Sequence, residues 1–252
     1  MRDFDKENRP IISAEFDNAK DGKKYNYEFD SIVRYYMLKT FEPYFSNGPA
    51  LEIGCYHGDS TLDLQKYFKD LTVIEPSIEA IKIAKQRVRN DIDFLHCLIE
   101  DYDGVKKFDS IFLINTLEHV DDAVYVLKVA KKLLSKIGRL YILVPNADAP
   151  SRQIAVLMGL IDTNNTVTKS EFEHGHRRTY SFNTLIHDIR SSSIDIQTVG
   201  GIIFKGLANY QFDLALEKNI ISPEFLEASY KLGLIYPSLT ASLFCITKPN
   251  EI

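Results

Sequence analysis

The sequence predicts a doubly wound α/β fold, a mostly parallel sheet with helices on both faces. Three observations predict it. Short apolar runs alternate with amphipathic stretches between residues 50 and 144. The first run, Ala50-Leu51-Glu52-Ile53, passes straight into a glycine-bearing turn, Gly54-Cys55-Tyr56-His57-Gly58. The second, Leu71-Thr72-Val73-Ile74, ends on an acidic residue, Glu75, one βα unit later.

Residues 1 to about 27 are polar and read as an irregular arm. Phe29, Ile32, Val33, Tyr36, Met37 and Phe41 recur at spacings of three and four, which predicts a helix over 28–45. Ser46-Asn47-Gly48-Pro49 is a turn. Strand 50–54 follows, then a short helix over 60–68 and a strand over 71–75. Ser77 is placed to cap a helix that runs to Arg89 with Ile78, Ile81, Ala84 and Val88 on one face. Strands are predicted over 93–97 and 108–114, the latter almost wholly apolar, as a strand covered on both faces should be. Asp121 or Asp122 caps the next helix, and Gly138 is expected to end it in a left-handed conformation. Arg139 to Val144 is a fifth strand, stopped by Pro145. Beyond it the pattern is less regular. Ser181 can cap a helix to Ile189, and residues 194–204 and 241–247 read as two more strands. The expected division is an arm and lid helix over 1–45 and one domain over 46–252, with an insertion at about 205–239.

Composition excludes several classes of function. The net charge is −5 and no Lys/Arg run exceeds two residues, so a phosphate-tracking stripe for nucleic acid is absent. The three cysteines, Cys55, Cys97 and Cys245, form no metal-binding or disulfide spacing. The charged N-terminus lacks an apolar signal core, and the 232–247 stretch is too short and interrupted to span a bilayer. The expectation is a cytoplasmic protein without nucleic-acid or membrane partners.

Ligands of open parallel sheets bind beyond the carboxyl ends of the strands. Gly54 and Gly58 let the first turn approach a ligand closely, and the following helix directs backbone N–H groups at it. Glu75 can accept from two ribose hydroxyls, or stand solvated at a strand end. Glu100 or Asp101 can accept from an adenine amine, or form an exposed acidic turn. Asn115 to Asp122 follow a buried strand and face the cleft, where His119 can act as a base, orient a substrate or be structural.

These runs resemble a known family. Ala50 to Asp59 is similar to motif I of class I S-adenosylmethionine-dependent methyltransferases, and Val73-Ile74-Glu75-Pro76-Ser77 to their motif II. Phe108 to Val120 is similar to the stretch after strand four in ubiquinone-biosynthesis-like small-molecule methyltransferases. Leu133 to Asn146 resembles the helix and fifth strand of motif III. The likeness covers roughly residues 45–205. It implies a Rossmann-like seven-stranded sheet whose last strand is antiparallel, with S-adenosylmethionine as cofactor and S-adenosylhomocysteine as product. It further implies that Glu52 and the Gly54–Gly58 loop, with Cys55 and Tyr56, hold the methionyl part. Glu75, with Pro76 and Ser77, would hold the ribose. Ile99, Glu100 and Asp101 would frame the adenine, and Asn115 and Thr116 would contact the methionyl side. Many members carry glycine where this chain has Tyr56, so a side chain there must cover the cofactor or reshape the loop. Tyr27 or Tyr25 would close over the cofactor, line the acceptor pocket, or pack under a lid.

The stretch Ser170 to Tyr180 should lie over the cleft. His174, His176, Arg177 and Tyr180 form a dense donor set suited to a polar, anionic acceptor, unless the arginines pair with Glu171 and Glu173. His-x-His-Arg-Arg-x-Tyr, residues 174–180, also resembles bacterial surface-polysaccharide methyltransferases, which implies a sugar-, phosphate- or nucleotide-linked acceptor and O-methylation. Glu118-His119 with a later histidine keeps half of a divalent-ion motif of some methyltransferases. Asn115 replaces its first carboxylate, so no metal is expected. The insertion, with Tyr210, Phe212 and Tyr236, is a pocket wall or a homodimer surface. Rival readings are a non-catalytic module binding the same cofactor, an N-methyltransferase of an amino sugar, and a nicotinamide-dependent oxidoreductase. The last would more often carry Gly-x-Gly-x-x-Gly, which is missing here.

Overall fold

The computed structural model describes residues 27–250. The tyrosine at position 25 and the rest of the arm lie outside the described residues. In chain order the elements are α1 (Glu28–Phe41), β1 (Ala50–Ile53), α2 (Asp59–Leu64), β2 (Leu71–Ile74), α3 (Ile78–Lys85), β3 (Asp93–Leu95), β4 (Phe108–Ile114) and α4 (Ala123–Leu133). They continue with β5 (Leu134–Pro145), α5 (Pro150–Leu157), α6 (Lys169–Glu173), α7 (Phe182–Ser191), β6 (Ile196–Phe204), α8 (Asn209–Glu217), α9 (Pro223–Ile235) and β7 (Thr240–Thr247).

The seven strands lie in the order β3-β2-β1-β4-β5-β7-β6. The first five pair in parallel, and β7 runs antiparallel to both β5 and β6. Strand order reverses between β1 and β4, so their carboxyl ends diverge into a crevice. Side chains alternate between two buried layers, as the strand period demands. Tyr141, Leu143, Phe244 and Ile246 face the layer that holds α1, with Phe29, Met37 and Phe41. Leu140, Ile142, Val144, Leu243 and Cys245 face the layer of α4 and α7, with Val126, Leu127, Leu185 and Ile189. Phe112 and Tyr141 stack across β4 and β5 with ring centroids 4.8 Å apart, a contact of about 1 kcal/mol beyond the area it buries.

The helix starts follow their caps. Ser77 accepts from Ala80 N, Asp122 from Tyr125 N and Ser181 from Thr184 N. Asp122, not Asp121, is therefore the cap of α4. Gly138 departs from expectation: α4 ends at Leu133 and Gly138 lies within β5, without a positive φ. Its missing side chain serves a close approach instead, since a Cβ there would stand 2.5 Å from the Phe108 carbonyl oxygen. The stretch expected to be an insertion folds as α8 and α9, with α9 packed on β6. Phe212 is buried against Phe29, ring centroids 4.4 Å apart, while Tyr210 and Tyr236 are exposed. Among the described residues no helix is long and apolar enough to cross a membrane.

Candidate active site

The crevice beyond β1, β2, β4 and β5 opens into a cavity of about 840 Å³. One end is built by the turn after β1. Gly54 adopts φ 77°, and a Cβ there would press on the Thr116 side chain at 3.2 Å. Thr116 Oγ1 donates to the Ile53 carbonyl at 2.7 Å, which ties the tip of β4 to the tip of β1. Tyr56 and Asn115 both hold a left-handed backbone, at φ 49° and 51°. Asparagine tolerates that region and tyrosine does so rarely. The departure at Tyr56 is therefore a strained turn, its ring stacked on His57 at 3.7 Å.

Glu75 is buried and gathers this loop. Its Oε2 accepts from Cys55 N at 3.0 Å and Tyr56 N at 2.9 Å, and its Oε1 from Ser77 N at 2.9 Å. Burial raises its pKa and the three backbone donors oppose the rise. Tyr27, Gly54, Cys55, Tyr56, Glu75, Pro76, Ile99, Glu100, Asn115 and Thr116 all line the cavity. Glu52, Gly58, Ser77 and Asp101 do not. Glu52 is fully buried, accepting from Ser60 and from Thr61 Oγ1. Glu52, expected to hold the methionyl part, anchors β1 to α2. Gly58 precedes α2 as its cap, and Ser77 caps α3.

The other end of the cavity is polar. Glu118, His119, His174 and His176 line it. The rings of His119 and His176 meet edge to face at 4.6 Å. Burial is the largest cause holding both imidazoles neutral, His119 at about 3 and His176 at about 4. Glu118 is buried, its two carboxylate oxygens have no hydrogen-bond partner among the described residues, and burial pushes it up to about 8. One ligand atom from each of Glu118, His119 and His176 lies within 4.8 Å of the others, a grouping that can hold a metal ion.

Arg177 and Tyr180 are not among the lining residues. Arg177 Nε donates to the His119 carbonyl at 2.9 Å and lies 3.0 Å from Asp121 Oδ1. Arg178 donates to the carbonyls of Val120 and Asp121. The two guanidiniums thus clamp the turn after β4 and hold His119 in place. Tyr180 is buried, and its hydroxyl donates to Asp188 Oδ2 at 3.0 Å. Arg177 and Tyr180, expected on the acceptor, are thus engaged by the turn after β4 and by Asp188.

The sequence reading missed Asp30, Arg34, Arg152, Glu171, Lys205 and Asn209, which also line the cavity. Arg34 Nε makes no hydrogen bond among the described residues and lies 3.7 Å from Asp63 Oδ2. Arg152 gives its donors to Glu171, Asn164 O and Thr166 O. Asp30 and Arg34 follow Tyr27 on the polar side of a helix already predicted to be a lid, which was the available signal.

Comparison with known proteins agrees with this architecture. The family described as "Methyltransferase domain" matches residues 24–189. A curated relative, the ubiquinone biosynthesis O-methyltransferase of Pelagibacter ubique (strain HTCC1062), is 26% identical over 131 residues. That match covers 51% of this chain and 55% of the relative, so the chain spans about half its length. A Thermotoga maritima S-adenosylmethionine-dependent methyltransferase, described as a possible histamine N-methyltransferase, superposes with a TM-score of 0.61 at 17% identity. It covers 94% of this chain and 99% of its own. The N-methyltransferase NodS of Bradyrhizobium japonicum WM9, solved with S-adenosylhomocysteine, gives 0.61 at 16% identity, covering 95% and 97%. With two thirds of its length matched by that family and the strand order its fold requires, the chain belongs to the class I S-adenosylmethionine-dependent methyltransferases.

Proposed function

We propose that this chain transfers the methyl group of S-adenosylmethionine to a polar, anionic small molecule. The observation that carries the reading is one continuous cavity that joins the glycine turn and Glu75 to His119, His174 and His176. Its volume of about 840 Å³ stands near the upper end for small-molecule sites. The lining residues fit the cofactor. Glu75 and the Gly54–Tyr56 turn supply a carboxylate and backbone groups for a ribose and an amino acid. Ile99 and Glu100 offer an apolar face and an acceptor for a purine. Arg34, with a donor to spare, suits the methionyl carboxylate.

When bound, S-adenosylmethionine supplies a sulfonium methyl group that is already electrophilic. The protein's task is then to hold a nucleophile in line and exclude water. His119 and His176, held neutral far below pH 7, are weak proton acceptors but competent hydrogen-bond partners. They orient the acceptor rather than deprotonate it. His174 stands at the end of α6 on the same rim. The acceptor class that best suits this rim is a sugar-, phosphate- or nucleotide-linked hydroxyl, of the kind methylated in surface-polysaccharide or secondary metabolism.

The test is incubation with methyl-labelled S-adenosylmethionine and a fractionated polar metabolite extract. Label should move into an anionic product heavier by one methylene. Label entering an amino sugar instead would support N-methylation, and no transfer by folded, cofactor-bound protein would support a non-catalytic binding module.

A further inference from the structure

The segment from β6 into α8 brings to the cavity a cation that the cofactor reading leaves unused. Lys205, the first residue after β6, lines the cavity beside Phe29, Asp30, Ala208 and Asn209. Its Nζ donates to Asn209 Oδ1 and lies 5.0 Å from the centroid of the Phe29 ring. Asn209 is held in turn, its Nδ2 being 3.4 Å from Asp30 Oδ1. Among the described residues no carboxylate comes within ion-pair distance of Lys205. An ammonium has three donors, so two remain directed away from its one recorded partner. The neighbouring Arg152 does not compete for a ligand, because Glu171, Asn164 and Thr166 occupy its guanidinium.

A partly desolvated ammonium without a counter-ion is costly, and an anion of matching position relieves that cost. Asp30 from α1 and Asp213 from α8 favour its charged form, Arg152 from α5 opposes it, and burial outweighs them, lowering its pKa to about 8. Asp213 is engaged elsewhere, accepting from the backbone N–H groups of Glu28 and Phe29. Asp30, pushed up to about 6 by burial, is still mostly ionised at pH 7, but it binds Asn209 and makes no ion pair with Lys205 among the described residues.

We propose that Lys205, aimed by Asn209, is the anion-holding group of the acceptor pocket and takes a carboxylate or phosphate carried by the acceptor. The proposal rests on the reading of the cavity as a methyl-transfer site and names the chemistry of the second substrate within it. It leaves Arg34 to the cofactor's own carboxylate.

The experiment uses protein saturated with S-adenosylhomocysteine and inorganic sulfate, whose charge is constant across the pH range. Sulfate affinity is measured by calorimetry at constant ionic strength for the wild type, Lys205→Met and Lys205→Arg. Wild-type affinity should fall about tenfold from pH 7 to pH 9 as the ammonium deprotonates. Lys205→Met should bind sulfate at least about tenfold more weakly at pH 7, and Lys205→Arg should retain binding and lose the pH dependence. All three should bind S-adenosylhomocysteine alike. Equal sulfate affinity in the wild type and Lys205→Met, or no sulfate binding by the wild type, overturns the proposal. So does a loss of S-adenosylhomocysteine affinity in Lys205→Met alone, which would move Lys205 to the cofactor. Failure of the wild type to bind S-adenosylhomocysteine would instead remove the functional reading beneath it. The pH series on the wild type needs no variant to fold.

Discussion

Arg34 and Glu118 are the two side chains whose buried polar atoms most directly express ligand chemistry. Arg34 Nε has Asp63 Oδ2 at 3.7 Å but no hydrogen bond among the described residues, so an arriving carboxylate offers it a charge-assisted bond. Arg34→Ala should weaken S-adenosylhomocysteine binding tenfold or more while shifting the melting temperature little, a split that calorimetry and thermal denaturation read separately. Glu118 has a folded pKa of about 8 against an ordinary value of 4.5, with burial as the main cause. A raised folded value means that its stabilising contribution is complete below about pH 4.5 and is lost as pH rises through about 8. His119 is depressed to about 3 from 6.5, so its contribution is complete above pH 6.5 and is lost as pH falls toward 3. Glu118→Gln should therefore gain on the order of 4 kcal/mol over the wild type between pH 5 and pH 8.5. A melting-temperature difference independent of pH would contradict this assignment. These roles were hidden in the sequence because an Arg or Glu on a helix or turn reads as solvated until the packing around it is known.

The strand tips were legible as elements, and the connections after β5 were not. Alternating apolar runs and glycine or proline punctuation marked β1 to β5, and hydroxyl or carboxylate caps marked α3, α4 and α7. Helices α5, α6, α8 and α9 carry exposed apolar residues such as Leu157, Phe172, Leu214 and Ile235, which blur the helical stripe. The His-Arg-Arg run was read as a ligand-facing donor set because composition does not say which way a guanidinium points. In the fold Arg177 and Arg178 face the carbonyls of the turn that bears Glu118 and His119. Arg178→Ala should loosen that turn and lower kcat more than it changes cofactor affinity, which steady-state kinetics can separate. Gly138 gives a purely structural contrast. Gly138→Ala places a Cβ 2.5 Å from the Phe108 carbonyl oxygen and should cost about 1–3 kcal/mol in denaturant unfolding, with S-adenosylhomocysteine affinity unchanged in the folded fraction. The Glu118, His119 and His176 grouping has the spacing of a metal site, yet methyl transfer from a sulfonium needs no Lewis acid. Activity should survive strong chelation, and loss that zinc or iron restores would reassign the cluster.

At the scale of the whole molecule, the fold class, the sheet with its antiparallel last strand and the cofactor end of the cavity follow from periodicity, turn chemistry and the motif resemblance together. The proposed acceptor end does not, because the turn after β4, α6 and the β6–α8 segment lie far apart along the chain. β6 runs antiparallel to β7 and so in the same sense as β1 to β5, which puts Lys205 and Asn209, beyond its carboxyl end, at the crevice founded by residues 50–120. In the proposed reading this single cavity has a cofactor end at β1 and β2 and an acceptor end at the late elements. The most direct test of this arrangement is isothermal calorimetry of the folded chain with S-adenosylhomocysteine. The account predicts saturable binding of one molecule per chain, weakened by Arg34→Ala and unaffected by Lys205→Met. A folded wild-type protein that takes up none would contradict it.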